Sequence, residues 1–410
     1  MSIIIQPKIS LVHETVKIIV KDLEPSRNYK IELRLKHSVG IYRSYGVFKC
    51  DITGTIDVSK VAPIRGTYSE ICPMGLFESI EPTDTVRYGD YCKCTPPDDF
   101  SYEVRVLNSE HNLVCTANFI KKLKDEKVER IEIENPICGT LFKPPGKGPF
   151  PTIIDISGTG GGINEQKAAA LASRGFCALS LAFFQFKNLP NFLHEVELSY
   201  FEKAIHYMKS LPFTSQKIGF QGVSFGGTLA VYLSTRIPEI SAVVSINGSF
   251  NQDTFAHISE NGEPTPYSIL PENGKYIEFL NEHMVYKNCV LNGEETEETR
   301  MKLENCHPKT AFRFVMALDD LSTPTVHVAK TLGNRLRKLH RSVETHFVPG
   351  GHLLDPPCFP PHPIVYAKYL GSYQAYGGEN SLHGKSQFLA WEKTVEFFEK
   401  NLGQTNNSKL

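Results

Sequence analysis

The 410-residue sequence predicts two units, an all-β N-terminal unit followed by a larger α/β unit. Two observations carry this. Up to about residue 125, apolar residues alternate or run at strand length between turn residues, with no long helical period. From residue 151 onward, apolar strand-like runs alternate with amphipathic helical stretches. A hydrophobic fraction of 41% with 22% charged residues is that of an ordinary soluble globular protein.

In the first unit, strands are expected at 16–20, 29–35 and 102–107. Turn residues separate them, such as Pro25-Ser26-Arg27-Asn28 and Pro96-Pro97-Asp98-Asp99. An antiparallel, immunoglobulin-like sandwich is the expected form. It shows no cluster of candidate catalytic groups. A charged connector at 121–127 sets the boundary, giving units 1–125 and 126–403 and a tail 404–410. Two further strands, 128–134 and 137–142, precede a Pro/Gly turn at 144–149.

The second unit offers strand-like runs at 151–156, 175–182, 217–221, 240–246, 311–318 and 342–348. Helical stretches lie at 165–173, 195–210 and 325–339, the last with Val326, Ala329, Leu332, Leu336 and Leu339 on one face. Strands apolar on both faces, alternating with such helices, predict a parallel sheet covered on both sides. The polar stretch 250–306, acidic at 294–298, is the expected excursion over the working end of the sheet. A final helix at 387–400 carries the only tryptophan, Trp391.

The densest motif is 217–227, Lys-Ile-Gly-Phe-Gln-Gly-Val-Ser-Phe-Gly-Gly. It reads as strand, sharp turn with Ser224 at the tip, then helix, which is the form of a nucleophile elbow. Gly222 and Gly226 leave room where a Cβ would collide. Phe225 begins the helix, so its backbone N–H is available to an oxyanion. Asp319-Asp320 follows the strand 311–318, and His352 follows the strand 342–348. The order serine, acid, histidine is that of an α/β-hydrolase, and each group stands just past a strand's C-terminal end. Position alone does not separate Asp319 from Asp320. Asp355 is a further carboxylate, but it follows the histidine. The residue types suit one chemistry: a hydroxyl needs a base, imidazole titrates near neutrality, and a carboxylate fixes its tautomer. A second oxyanion donor is expected in the loop Ser157-Gly158-Thr159-Gly160-Gly161-Gly162, from Thr159 or Gly160. The loop is not a dinucleotide fingerprint, because Ile163 stands where the third glycine belongs.

A net charge of −1 gives no sign of a nucleic-acid or anionic-membrane partner. The ten cysteines are scattered apart from Cys92-Lys93-Cys94, with neither paired zinc-site spacing nor a small disulfide framework, so no metal site is expected. No stretch approaches the ~18 apolar residues that span a bilayer. The start, MSIIIQPKISLVHE, lacks the basic segment and long apolar core of a secretory signal. The chain ends Ser408-Lys409-Leu410 after a polar run, the form of a peroxisomal address, which makes an import receptor the expected partner and the peroxisome the expected location.

Taken together, these residues resemble the type I acyl-CoA thioesterases and the related bile acid-CoA:amino acid N-acyltransferase. The resemblance covers nearly the whole chain. It rests on Gly66-Thr67-Tyr68, Pro73-Met74-Gly75-Leu76, Glu81-Pro82, the 155–162 loop, Leu189-Pro190, Glu197, Tyr200-Phe201-Glu202 and Ile246-Asn247-Gly248-Ser249. Gly351-His352-Leu353, Pro356-Pro357, Gly377-Gly378-Glu379 and Ala390-Trp391 complete it. The resemblance implies a β-sandwich joined to an α/β-hydrolase domain, and it selects Asp320 as the acid. It implies a fatty acyl-CoA substrate attacked by Ser224, with His352 as base, giving free fatty acid and coenzyme A without metal or cofactor. Phe225 departs from the family, where many members carry a polar or charged residue after the nucleophile. The bile acid enzyme carries cysteine where this chain has Ser224, and an oxygen ester is less open to amines than a thioester, which favours hydrolysis. The alternatives are acyl transfer to glycine or taurine, a non-enzymatic acyl-CoA binder on the same scaffold, and a general carboxylesterase.

Overall fold

The computed structural model describes residues 1–368 and 370–405. Its N-terminal part holds two sheets. Ser2–Gln6, Lys17–Lys21 and Ile56–Asp57 form a small antiparallel one. The larger sheet runs Ile9–Leu11, Leu113–Lys122, Phe100–Leu107, Asn28–His37, Gly40–Lys49 and Arg65–Gly66, with Glu81–Pro82 also pairing to Gly40–Lys49. Its strands alternate as a one-sided sheet should. Along Asn28–His37, Tyr29, Ile31, Leu33 and Leu35 are buried against Phe48, Tyr102, Val104 and Val106.

The expected charged connector begins later than its charges suggest. Leu113–Lys122 extends into it, and Lys121 is fully buried (0% exposed). Its ammonium donates to the carbonyls of Leu11, at 3.0 Å, and Glu14. Two backbone acceptors compensate the burial of that ammonium, and burial still pulls its pKa down.

The central sheet has eight strands, numbered here β1 (Glu129–Ile133), β2 (Cys138–Lys143), β3 (Phe150–Ile156), β4 (Cys177–Ala182), β5 (Thr214–Val223), β6 (Ile240–Ile246), β7 (Ala311–Ala317) and β8 (Ser342–Val348). Their spatial order is β1-β2-β4-β3-β5-β6-β7-β8. The pairings of β1 with β2 and of β2 with β4 are antiparallel, and the rest are parallel. This is the arrangement of an α/β-hydrolase. Successive residues face opposite layers. Ile154, Val243 and Phe314 pack towards the helices Leu198–Ser210 and Thr325–Lys338. Ile153, Val244 and Val315 pack towards Gln166–Ala172 and Asn380–Leu402.

Two features differ from the sequence expectation. The last helix starts at Asn380, seven residues before 387, because Glu379 caps it by accepting the N–H groups of Ser381 (3.2 Å) and Leu382 (2.9 Å). Its extra turns dock on the short helix Gly75–Glu78 of the N-terminal unit, so closely that a Cβ on Gly384 would lie 2.1 Å from the Glu78 carbonyl oxygen. The second feature is a hairpin, Ile364–Ala367 with Ser372–Ala375. It joins Glu278–Leu280 and His283–Val285 from the 250–306 excursion in a four-stranded sheet.

Candidate active site

Strand β5 ends at Val223, and the helix Phe225–Ser234 begins two residues later. Ser224 between them sits at φ 58°, ψ −128°, a region that side chains rarely adopt. The elbow closes because two glycines let backbone meet backbone. A Cβ on Gly222 would lie 2.2 Å from the Gly226 carbonyl, and one on Gly226 would lie 2.5 Å from the Ser157 oxygen. The turn is pinned by the Ser224 N–H donating to the Ile246 carbonyl at 2.9 Å.

His352 follows β8, and its N–H donates to the Tyr376 carbonyl at 2.9 Å. Its Nε2 lies 2.8 Å from Ser224 Oγ, and its Nδ1 lies 2.7 Å from Asp320 Oδ2. With the proton on Nδ1 donated to Asp320, Nε2 is free to accept the serine O–H. Asp320 is fully buried (0%) and His352 nearly so (1%), which shields the bond between them from water, while the bond to Ser224 faces the cavity. The other Asp320 oxygen accepts the N–H groups of Ser322 (2.7 Å) and Thr323 (2.8 Å). Asp319 turns elsewhere and accepts the Gly378 N–H at 2.8 Å. Position left the pair open; side-chain direction separates them.

The glycine loop after β3 packs directly on the serine. A Cβ on Gly158 would stand 3.0 Å from Ser224 Cβ and 3.4 Å from its Oγ. Thr159 and Gly160 line the same cavity as Ser224. Among the described residues, the backbone N–H groups of Phe225, Thr159 and Gly160 carry no hydrogen bond to another residue.

Ser224 opens on two cavities. The larger, about 380 Å³, is walled by the glycine loop, Tyr376, Leu353, the strand Ile364–Ala367 and Lys368. Tyr91 and Lys93 also reach into it, so a segment before residue 125 contributes to the cavity wall, a contribution the sequence reading did not foresee. Residues 91 and 93 line the cavity while Cys92 and Cys94 between and after them are buried. The smaller cavity, about 60 Å³, is walled by Phe225 and by Asn251, Asp253 and Phe255 of the excursion. Burial pushes the Asp253 carboxyl up to about 6, opposed by the N–H groups of Phe255 and Ala256.

The cavity's charges are arranged in two layers. At the back, Asp355 accepts from Lys167 Nζ (2.7 Å), the Tyr91 hydroxyl (2.7 Å) and Gln166 Nε2 (3.3 Å). Burial raises its pKa, but Lys167 and these bonds outweigh that and hold the carboxyl below its usual range. Asp355 is therefore occupied in the wall and is not a third candidate for the histidine. Beneath it, burial pushes Asp155 up to about 7, although Lys167 and the Gln221 amide (3.1 Å) favour its charged form. At the mouth, Lys93 and Lys368 form no ion pair among the described residues. Burial first, then Lys368, lower the Lys93 pKa.

Two groups were not singled out by residue type. Asn247 holds the histidine loop, and the 364–375 hairpin closes the larger cavity. Asn247 carried two signals, its place directly after β6 at the sheet's working end and its part in the Ile246-Asn247-Gly248-Ser249 match. Ser408, Lys409 and Leu410 lie outside the described residues. Among the described residues, no helix is long and apolar enough to cross a membrane.

Residues 13–135 match the model of the acyl-CoA thioester hydrolase/BAAT N-terminal region. Residues 196–404 match that of the BAAT/acyl-CoA thioester hydrolase C terminal. Acyl-coenzyme A thioesterase 6 of Homo sapiens is 29% identical over 97% of this chain and 95% of its own length. The peroxisomal succinyl-coenzyme A thioesterase of Mus musculus is 29% identical over 96% and 95%. The acyl-coenzyme A amino acid N-acyltransferase 1 of Mus musculus is 30% identical over 100% and 99%. Both halves of the chain and its full length point the same way: it belongs to the acyl-CoA thioester hydrolase/BAAT family.

Proposed function

We propose that this protein hydrolyses acyl-CoA thioesters, with Ser224 as nucleophile, His352 as general base and Asp320 as the residue that orients the imidazole. The observation that carries this is the unbroken line Ser224–His352–Asp320, at 2.8 and 2.7 Å, in the wall of a cavity of about 380 Å³. Ser224 Oγ gives its proton to His352 Nε2 and bonds to the thioester carbon. The carbonyl π electrons move to oxygen, where the N–H groups of Phe225 and of Thr159 or Gly160 hold the charge. Collapse expels the coenzyme A sulfur, which leaves as the thiol with the proton from His352. Water then gives a proton to His352 and attacks the acyl-serine, and Ser224 leaves with that proton as free acid forms. Asp320 holds the imidazole by its Nδ1–H and stabilises the imidazolium. Lys93 and Lys368 give the phosphates of coenzyme A a cationic rim at the cavity mouth.

Acyl transfer to an amino acid is the second reading, favoured by full-length similarity to an N-acyltransferase. The two are separated by identifying products with and without glycine or taurine. Free acid as the dominant product supports hydrolysis, and dominant conjugate overturns it. A non-enzymatic acyl-CoA binder would leave Ser224 unlabelled by an active-site serine probe.

We also propose that 1–125 is an immunoglobulin-type sandwich, 126–403 the catalytic unit and 404–410 a tail whose Ser408-Lys409-Leu410 is read by the peroxisomal import receptor. The relative named as peroxisomal supports that destination. A fluorescent fusion keeping the C-terminus free should be peroxisomal, and removal of Leu410 should leave it in the cytosol.

A further inference from the structure

Residues 83–99 form neither helix nor strand, yet they carry Tyr91 and Lys93 into the cavity wall. From 91 to 99, the only backbone N–H bonded to a described residue is that of Cys92, to His362 Nε2 at 3.2 Å. The backbone there is held sparsely, and side chains do more of the holding, as where the Tyr91 hydroxyl donates to Asp355 at 2.7 Å. Behind the wall, Cys92 (0% exposed) and Cys94 (2%) face His37, the last residue of Asn28–His37.

We infer that His37, Cys92 and Cys94 bind a zinc ion, which fastens the 83–99 segment to the N-terminal sheet and so fixes Tyr91 and Lys93 in the active cavity. The geometry fits. One ligand atom from each residue lies within 4.8 Å of the other two, and His37 Nε2 is 3.7 Å from Cys94 Sγ. A tetrahedral site with Zn–S of about 2.3 Å and Zn–N of about 2.0 Å has N···S edges of about 3.5 Å and S···S edges of about 3.8 Å. Two sulfurs and an imidazole select a soft cation over magnesium or calcium. His37 is half-buried and gives the ion a way in. Binding at Nε2 puts the ring proton on Nδ1, where Ser38 Oγ is 3.5 Å away as acceptor and the long Val39 N–H contact (3.4 Å) is released. The fourth position is left for water. Spacing alone conceals the site, because its third ligand lies more than fifty residues upstream.

The test uses the full chain, purified reduced and without chelator. Metal analysis should find one zinc per chain. Cobalt(II) added to the stripped protein should give a thiolate-to-metal charge-transfer band, and both signals should vanish in Cys92→Ser/Cys94→Ser. If that variant fails to fold, His37→Gln, which keeps both thiols, should weaken zinc binding by about tenfold or more. Protein free of zinc with no cobalt band would overturn the inference. So would zinc and cobalt signals unchanged in either variant.

Discussion

Asn247 Nδ2 donates to the His352 carbonyl at 2.7 Å, so the residue after β6 holds the loop that carries the imidazole. The same amide reaches the Gly351 carbonyl at 3.2 Å, and its Oδ1 accepts the Ala317 N–H at 2.7 Å. Three buried backbone groups depend on one side chain. Asn247→Ala should lower kcat far more than it raises KM, and should cost on the order of 1–3 kcal/mol of stability from the orphaned groups. Steady-state kinetics with a denaturant melt would check both. Unchanged kcat would remove the positioning role.

Ser224→Ala should abolish thiol release from acyl-CoA. Asp320→Asn should lower kcat by about 10³–10⁴-fold, because the amide favours the wrong imidazole tautomer. Asp319→Asn should stay near wild type, since an amide oxygen still accepts the Gly378 N–H. Ser224→Cys should raise the share of conjugate formed with glycine or taurine, measured by product mass. No rise would detach product choice from the atom at the elbow.

Lys93→Met and Lys368→Met should each raise KM for acyl-CoA about 3- to 10-fold. Neither should matter for the same acyl group on a short neutral thiol. Added salt should weaken the wild type more than either variant. Equal effects on both substrates would move the cations' partner away from coenzyme A.

Asp155 gives stability a pH dependence whose sign is fixed. Burial raises its carboxyl from 3.8 to about 7 in the fold. Between those values the native state holds a proton that the unfolded state has lost, so stability falls as pH rises through the window and levels off above it. Asp155→Asn removes this loss. Its stability relative to wild type should rise from pH 5 to pH 8 by on the order of 2 kcal/mol, read from urea melts. A difference independent of pH would show that Asp155 titrates normally.

The parallel sheet was legible because its strands are apolar on both faces. That pattern survives without tertiary information, and so β6 (Ile240–Ile246) has the bounds expected for it. What stayed hidden depended on direction or on distant partners. Asp319 and Asp320 are adjacent in sequence, and only the turn of the backbone sends one to Gly378 and the other to His352. Lys121 looked like linker because a charge was read as exposure, whereas two carbonyls take its protons inside the fold. The hairpin Ile364–Ala367/Ser372–Ala375 is too short to announce itself, and its pairing to His283–Val285 crosses some ninety residues.

The reach of Tyr91 and Lys93 into the cavity means that its wall is partly built by the half of the chain that lacks Ser224. A relative's N-terminal unit grafted onto this catalytic unit would carry its own pair at those positions. Such a hybrid would keep the reaction and inherit the donor's taste for the group at the cavity mouth. Divergence among relatives could then proceed by exchanging a wall while the chemistry stays untouched.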